Sequence, residues 1–164
     1  MKILFLLRHT KAVPGSDGLR DFDRSLNDQG LRQAGRVGKY LKEQNIGLDL
    51  VLSSTAPRAR ETTDLFLNAA ECVADVRYDQ RIYEAGWPQL LEVVSEIEES
   101  KNRVLLVGHN PGLEEFLQRL TGHFAPMSTG ALAKIDLRTS VWTDAADQKG
   151  HLDWQVKPQE LPEE

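Results

Sequence analysis

The stretch ILFLLRHT, residues 3–10, decides the fold of this chain. Its first five residues are apolar without alternation, which is typical of a strand covered on both faces in a parallel sheet. Two further runs lie at residues 48–52, which are apolar except for Asp49, and at residues 104–107, which are apolar throughout. Neighbouring parallel strands need long crossover connections, and helices usually supply them. We therefore expect helices between the three runs.

Helical spacing of apolar residues appears between these runs. Asn27 precedes apolar residues at positions 31, 34, 37 and 41, so it is a candidate N-cap. Pro57 is placed to open a second helix. The same spacing predicts a third helix around residues 90–97 and a fourth around 113–120. Residues 131–137 and 151–156 are expected to form two later strands with an antiparallel edge.

This order of elements predicts an α/β fold. We expect a single-domain, three-layer sandwich, with a mostly parallel central sheet and helices on both of its faces. The predicted catalytic domain spans residues 1–157, and residues 158–164 are expected to form a flexible C-terminal tail. Ligands of open α/β sheets bind beyond the carboxyl ends of the strands. The residues that follow the apolar runs are therefore the first candidates for a functional site.

Composition excludes several classes of protein. The 164 residues carry a formal net charge of -5, which argues against nucleic-acid binding because a phosphate backbone demands a basic surface. The apolar run at the start is too short for a signal sequence, and no segment approaches the ~18 apolar residues of a membrane span. Cys72 is the only cysteine, so an intrachain disulfide is impossible. We expect a cytoplasmic protein that does not bind membranes.

Cationic side chains follow the apolar runs. Arg8 and His9 follow the first run, Arg58 comes shortly after the second, and His109 and Asn110 follow the third. Potential cations gathered at one edge of a sheet repel each other, whereas a bound phosphoryl anion makes the electrostatic energy of this group of charges favourable. Asn110 and Pro111 further resemble the N-cap and first position of a helix, whose free amides also favour an anion. The sequence predicts a phosphate site at this edge.

Four motifs in order carry a family resemblance: RHTKA at residues 8–12, DRSL at 23–26, STAPRA at 54–59 with Thr62, and GH at 108–109. The chain resembles the histidine phosphatases, and among them the small SixA-like phosphohistidine phosphatase branch. The resemblance covers the chain from the first strand to about Leu137. It implies a phosphatase that uses no metal and no other cofactor.

The resemblance also implies the roles of the main residues. His9 is the expected nucleophile, which becomes a phosphohistidine and is then hydrolysed by water, and Arg8, Arg58 and His109 surround the phosphoryl group. The attacking nitrogen of His9 must lack a proton, so the other ring nitrogen must donate its own, and a backbone carbonyl is the expected acceptor. Glu84 resembles the acidic position of the family and is the candidate general acid or base.

Further expectations concern two residues beside the phosphate site and the aspartates of a surface loop. Thr10 stands where the best-known form of the motif has glycine, so it either adopts an ordinary conformation or offers its hydroxyl to the phosphate. Asn110 is expected to contribute to phosphate binding. Asp21, with Asp17 and Asp23, is expected to be a loop charge, because the spacing does not match a calcium loop.

The sequence is compatible with several substrates and functions. The interval from Arg58 to His109 leaves little room for a lid, and an open site suits a phosphohistidine carried by a partner protein. The alternatives are a small-molecule phosphomonoesterase of the same superfamily and a non-catalytic module that binds a phosphorylated ligand. A metallohydrolase using His9, His109, Glu84 and an aspartate as ligands is a further alternative, which the nearby arginines disfavour because they repel a divalent ion.

Overall fold

A six-stranded mixed sheet forms the centre of the protein in a computed structural model, which describes residues 1–147 and 149–162. The strands are β1 (Ile3–Arg8), β2 (Leu50–Ser53), β3 (Asp75–Tyr78), β4 (Arg103–Gly108), β5 (Leu132–Asp136) and β6 (His151–Val156). The helices are α1 (Asp28–Glu43), α2 (Pro57–Ala70), α3 (Trp87–Ser95) and α4 (Gly112–Thr121). Short 3-10 turns lie at Asp21–Asp23, Gln80–Ile82, Trp142–Asp147 and Pro158–Glu160.

The strand order is β3-β2-β4-β1-β5-β6. The first four strands in this order run parallel, and β5 and β6 add an antiparallel edge, as the sequence predicts. Arg8 at the end of β1 is in register with Gly108 of β4, and Ser53 of β2 is in register with Val107. The carboxyl ends of β1, β4 and β2 therefore lie side by side, which brings the residues after them together.

Two apolar cores explain the unbroken apolar pattern of the central strands. Leu4 and Leu6 of β1 belong to the core under α3 and α4, whereas Phe5 and Leu7 belong to the core under α1 and α2. Successive side chains of a strand point to opposite faces, so a strand covered by helices on both sides needs apolar residues at every position. The predicted three-layer α/β sandwich is confirmed.

The helix starts agree with the sequence in two cases and differ in a third. Asn27 caps α1, with its side chain accepting from the backbone N–H of Gly30 at 2.8 Å, and α2 begins at Pro57. The prediction that Asn110 caps the fourth helix is wrong. α4 begins at Gly112, and the Asn110 amide instead donates to the Met127 carbonyl at 2.7 Å. The Asn110 side chain is bonded to a carbonyl distant in sequence, so it does not cap the helix as the local rule predicts.

The described residues at the end of the chain pack against the core under α1 and α2. Pro158 is buried in its 3-10 turn, and Leu161 contacts the apolar cluster under α1. Residues 163 and 164 of the predicted tail, and Gln148 of the predicted domain, lie outside the described residues. Across residues 1–147 and 149–162, none of the helices combines the length and apolar character needed to cross a membrane.

Candidate active site

A cavity of about 520 Å³ lies at the carboxyl ends of β1, β2 and β4. Its lining contains six of the residues singled out in the sequence: Arg8, His9, Arg58, Glu84, His109 and Asn110. A larger cavity, of about 740 Å³, lies beside the start of β6 and holds none of them. The sheet edge predicted from the strand ends is therefore where the cationic residues converge.

His9 is held as a neutral ring with one defined tautomer. Burial lowers its pKa to about 4, the charges of Arg58 and Arg8 act in the same direction, and the Thr10 carbonyl opposes them. His9 Nδ1 lies 2.7 Å from that carbonyl oxygen, which can only accept, so Nδ1 carries the proton. The other nitrogen, Nε2, is left unprotonated. The structure thus supplies the backbone acceptor for the proton, the carbonyl of the next residue in the chain.

His109 is also neutral, and its orientation comes from Ser54. Burial, together with the charges of His9 and Arg58, lowers its pKa to about 3. His109 Nε2 lies 2.8 Å from Ser54 Oγ, which already accepts from the backbone N–H of Ala56 at 3.2 Å. Among the described residues, His109 Nε2 is the acceptor within reach of the Ser54 hydroxyl proton, so Nε2 accepts it. This network favours the tautomer in which His109 Nδ1 carries the ring proton.

The two arginines are fixed by carbonyl oxygens and one carboxylate. Arg8 Nη1 donates to the Met127 carbonyl at 3.0 Å. Arg58 is 5% exposed, and its Nη1 and Nη2 donate to the carbonyl and the carboxylate of Asp21 at 2.8 and 3.1 Å. Burial lowers the pKa of Arg8, and the charge of Glu114 partly offsets this. Each guanidinium has five N–H donors, so both keep donors for a further ligand.

Three buried donors in this cavity have no acceptor within the part of the chain that the structure describes. They are Arg8 Nε, Arg58 Nε and His109 Nδ1. A buried donor without an acceptor costs on the order of 1–3 kcal/mol, so buried polar groups are rarely left this way without a functional reason. The three atoms come from β1, α2 and the segment after β4, and all three residues line this cavity.

Asp21 is the residue whose role the sequence does not reveal. Its carboxylate accepts from Tyr83 Oη at 2.7 Å, Arg24 Nη1 at 2.9 Å and Arg58 Nη2 at 3.1 Å. The Tyr83 hydroxyl, then Arg24 and Arg58, hold the pKa of the Asp21 carboxyl far below its usual range. The expectation of a loop charge is therefore corrected. No local spacing signals this position, because Tyr83 and Arg58 reach it only through the fold.

Thr10 lies beneath the cavity rather than in its lining. It is fully buried with a negative φ, and its backbone N–H and hydroxyl lie 3.1 and 3.3 Å from Thr62 Oγ1. The structure thus selects the ordinary conformation and corrects the predicted phosphate contact, because the hydroxyl faces Thr62. Thr62 Oγ1 in turn donates to the Arg58 carbonyl at 2.7 Å, so this pair connects the segment after β1 to α2.

Asn110 and Glu84 lie at the edge of the cavity. The Asn110 amide nitrogen is engaged by Met127, and its buried Oδ1, without a partner among the described groups, is an acceptor. An acceptor cannot donate to phosphate, so the predicted phosphate contact of Asn110 is limited to the second N–H of its amide. Glu84 is exposed and adopts a φ of 55°. No group of three His, Cys, Asp or Glu side chains is arranged to hold a metal within the described ranges.

Comparison with known proteins agrees with this geometry. The family model described as "Histidine phosphatase superfamily (branch 1)" matches residues 4–103. An uncharacterized protein of Mycobacterium tuberculosis is 38% identical over 106 residues, which cover 64% of this chain and 63% of that relative. The chain therefore spans less than two thirds of the length of this relative.

Solved structures are similar over nearly the whole chain. A candidate phosphohistidine phosphatase SixA from Agrobacterium tumefaciens has a TM-score of 0.82 and 30% identity, covering 96% of this chain and 99% of that one. Its counterpart from Nakamurella multipartita has a TM-score of 0.80 and 30% identity, with 96% of both chains covered. The chain belongs to branch 1 of the histidine phosphatase superfamily, in its SixA-like group.

Proposed function

We propose that the protein is a metal-independent phosphatase that works through a phosphohistidine on His9 and acts on phosphohistidine of a partner protein. The observation that carries this proposal is the set of three buried donors, Arg8 Nε, Arg58 Nε and His109 Nδ1, around the neutral ring of His9. A phosphoryl group supplies the several acceptor oxygens that such donors lack. The two arginines favour this bare anion over a metal ion, since cations raise the cost of binding a divalent ion.

In the first step, His9 Nε2 attacks phosphorus in line with the leaving atom. The Nε2–P bond forms as the bond to the leaving group breaks, and the electron pair of the broken bond departs with the leaving atom. The Thr10 carbonyl supports this step, because it fixes the Nδ1 proton and stabilises the positive charge that the ring gains. In the second step, water attacks phosphorus, the Nε2–P bond breaks, and its electron pair returns to His9.

The arginines and His109 stabilise charge on the equatorial oxygens. This kind of preorganised stabilisation typically contributes several kcal/mol in phosphoryl transfer. Neutral His109 donates through Nδ1, with Ser54 holding the opposite nitrogen. A bound phosphoryl anion also favours protonation of His109, so its donor becomes stronger when the site is filled.

The leaving group decides how much general acid catalysis is required. A phosphohistidine releases an imidazole with an unperturbed pKa near 6.5, which departs far more readily than a sugar alkoxide. Glu84 is exposed in the cavity lining and is the candidate to protonate a poorer leaving group or to take a proton from the attacking water. Its importance should therefore depend on the substrate.

Two observations support a protein-borne substrate. The interval between Arg58 and His109 is occupied by the rest of α2, β3, a 3-10 turn, α3 and β4, and no segment in it forms a lid. The two SixA structures of 30% identity carry the name phosphohistidine phosphatase. A small-molecule phosphomonoesterase is the second candidate, because the phosphate contacts alone do not distinguish the two substrate classes.

A turnover panel tests the proposal. The panel compares a phosphohistidine protein domain, phosphoserine and phosphotyrosine peptides, and sugar phosphates, each with and without an excess of chelator. Selective hydrolysis of the phosphohistidine domain that survives chelation is expected, and loss of activity on chelation would favour a metallohydrolase instead.

Two variants separate catalysis from binding. His9→Ala should abolish turnover while leaving phosphate binding measurable, whereas Arg58→Ala should weaken both. A wild-type rate from His9→Ala would refute the assignment of the nucleophile. Phosphate binding by a wild-type protein that hydrolyses nothing in the panel would identify a binding module.

A further inference from the structure

Asp21 places a permanent negative charge inside a site that binds an anion. Its carboxylate lies in the cavity lining, 3.1 Å from Nη2 of Arg58, the residue whose Nε the proposed function assigns to the phosphoryl group. A carboxylate in this position repels phosphate and weakens the binding of the phosphoryl group. A feature that opposes binding of the reacting group calls for another role.

The donors around Asp21 show that it acts as an acceptor. Tyr83, Arg24 and Arg58 reach it from three separate parts of the chain and hold the carboxylate in one orientation. Oδ2 accepts two of these hydrogen bonds and Oδ1 accepts one, so Oδ1 keeps capacity for one more donor. A carboxylate held ionised by three donors cannot serve as a general acid near neutral pH.

Exposure is the argument that Asp21 lies on the side of the leaving group. The residue His9 is 7% exposed, whereas the side chain of Asp21 is 49% exposed, so we infer that Asp21 lies nearer the mouth of the cavity than His9 does. In-line displacement puts the leaving group on the side of phosphorus opposite the nucleophile. A group at the mouth therefore meets the leaving group, while groups at the floor meet the phosphoryl oxygens.

The chemistry of the leaving group identifies what Asp21 can bind. An imidazole that is phosphorylated on one ring nitrogen has a second ring nitrogen, which carries an N–H and a positive charge when protonated. The alkoxide or phenolate that leaves from a phosphomonoester has no such donor. Tyr83, whose hydroxyl donates to Asp21, also lines the cavity, so an aromatic residue lies beside this position.

We propose that Asp21 determines specificity by accepting the N–H of an imidazole leaving group, so that the site prefers phosphorylated imidazoles to phosphomonoesters. The inference rests on the proposed function. During attack by His9, the P–N bond of the substrate breaks and its electron pair stays on the departing ring. That ring already carries a proton on its other nitrogen, held by Asp21, so it leaves as neutral imidazole without any proton transfer to the leaving atom.

The test compares two substrates on the same enzyme. Phosphoimidazole carries the required N–H, and 4-nitrophenyl phosphate lacks it. In Asp21→Asn, the ratio of kcat/KM for phosphoimidazole to kcat/KM for 4-nitrophenyl phosphate should fall about tenfold, as expected for a lost hydrogen bond between charged groups. Asp23→Asn is the matched control, because Asp23 lies on the same 3-10 turn, pairs with Arg20 and is not part of the lining. It should keep the wild-type ratio.

The possible outcomes separate this inference from the function on which it rests. A wild-type protein that hydrolyses neither substrate would refute the proposed function, and the inference with it. If the wild type hydrolyses both and Asp21→Asn slows both equally, the function stands and the role of Asp21 is only structural. Binding of inorganic phosphate shows whether Asp21→Asn is folded. If it is not, Asp21→Glu, which moves the charge by one methylene, should still lower the ratio, and an unchanged ratio overturns the inference.

Discussion

The two buried histidines should make the protein lose stability as the pH falls from 7 to 5. Burial and the neighbouring cations lower the pKa of His9 to about 4 and that of His109 to about 3. In the unfolded chain both imidazoles return to a pKa near 6.5. Each native pKa lies below its unfolded value, so the unfolded state takes up protons first, and stability decreases as the pH drops below about 6.5.

The size of the effect follows from these values. At pH 5 an unfolded imidazole is almost fully protonated, while both native rings are still neutral. The cost is about 2 kcal/mol for each histidine and about 4 kcal/mol for the pair. Since His109 owes part of its shift to His9, the two contributions are coupled, and the double variant is the sound comparison.

Urea unfolding at pH 7 and pH 5, followed by tryptophan fluorescence, measures this difference. The free energy of unfolding of the wild type should fall by about 4 kcal/mol more than that of the double variant His9→Asn with His109→Asn. Carboxylates common to both proteins cancel in the comparison. His123→Asn, which removes an exposed imidazole outside the site, should retain the wild-type pH dependence. An equal pH dependence of wild type and double variant would refute the neutral state of these rings.

Three further substitutions test single features of the site. Arg58→Lys replaces the planar guanidinium by a point charge, so the Kd for inorganic phosphate should rise about tenfold when it is measured by calorimetry. An unchanged Kd would exclude Arg58 from the phosphate site. Ser54→Ala removes the hydrogen bond to His109 Nε2, so kcat should fall about tenfold, and Ser54→Thr should restore it. An unchanged kcat in Ser54→Ala would show that this hydrogen bond does not contribute to catalysis. Gly112→Ala would place a Cβ 2.0 Å from the Ala85 carbonyl oxygen, so the free energy of unfolding measured in urea should fall by about 3 kcal/mol. A variant as stable as the wild type would contradict this close packing.

The central strands and the main site residues were predictable because their signals are local. The run at residues 3–7 is apolar throughout, since β1 is covered on both faces, and the strand ends then dictate where Arg8 and His109 meet. β3 is different, because it lies at the edge of the sheet, is mostly exposed and has the sequence DVRY. The pattern of polar and apolar residues in β3 therefore does not distinguish this strand from a loop.

The finer arrangement of the site depends on contacts that only the fold creates. Asp21 reads as a loop charge because Arg58 and Tyr83, which hold it, are 37 and 62 residues away. Asn110 follows a local capping rule in the sequence, but the Met127 carbonyl takes its amide in the structure. The hydroxyl of Thr10 is taken by Thr62 in the same way. Local rules assign such polar side chains to the nearest partner, and tertiary packing supplies another.

A rapid-quench experiment on His9 tests the account most directly. The enzyme is mixed with a radiolabelled phosphoryl donor, quenched within one turnover in base, and digested to locate the label. The account predicts an acid-labile, base-stable phosphate on His9 of the wild type and none in His9→Asn. Rapid turnover without any such adduct on this ring would contradict it.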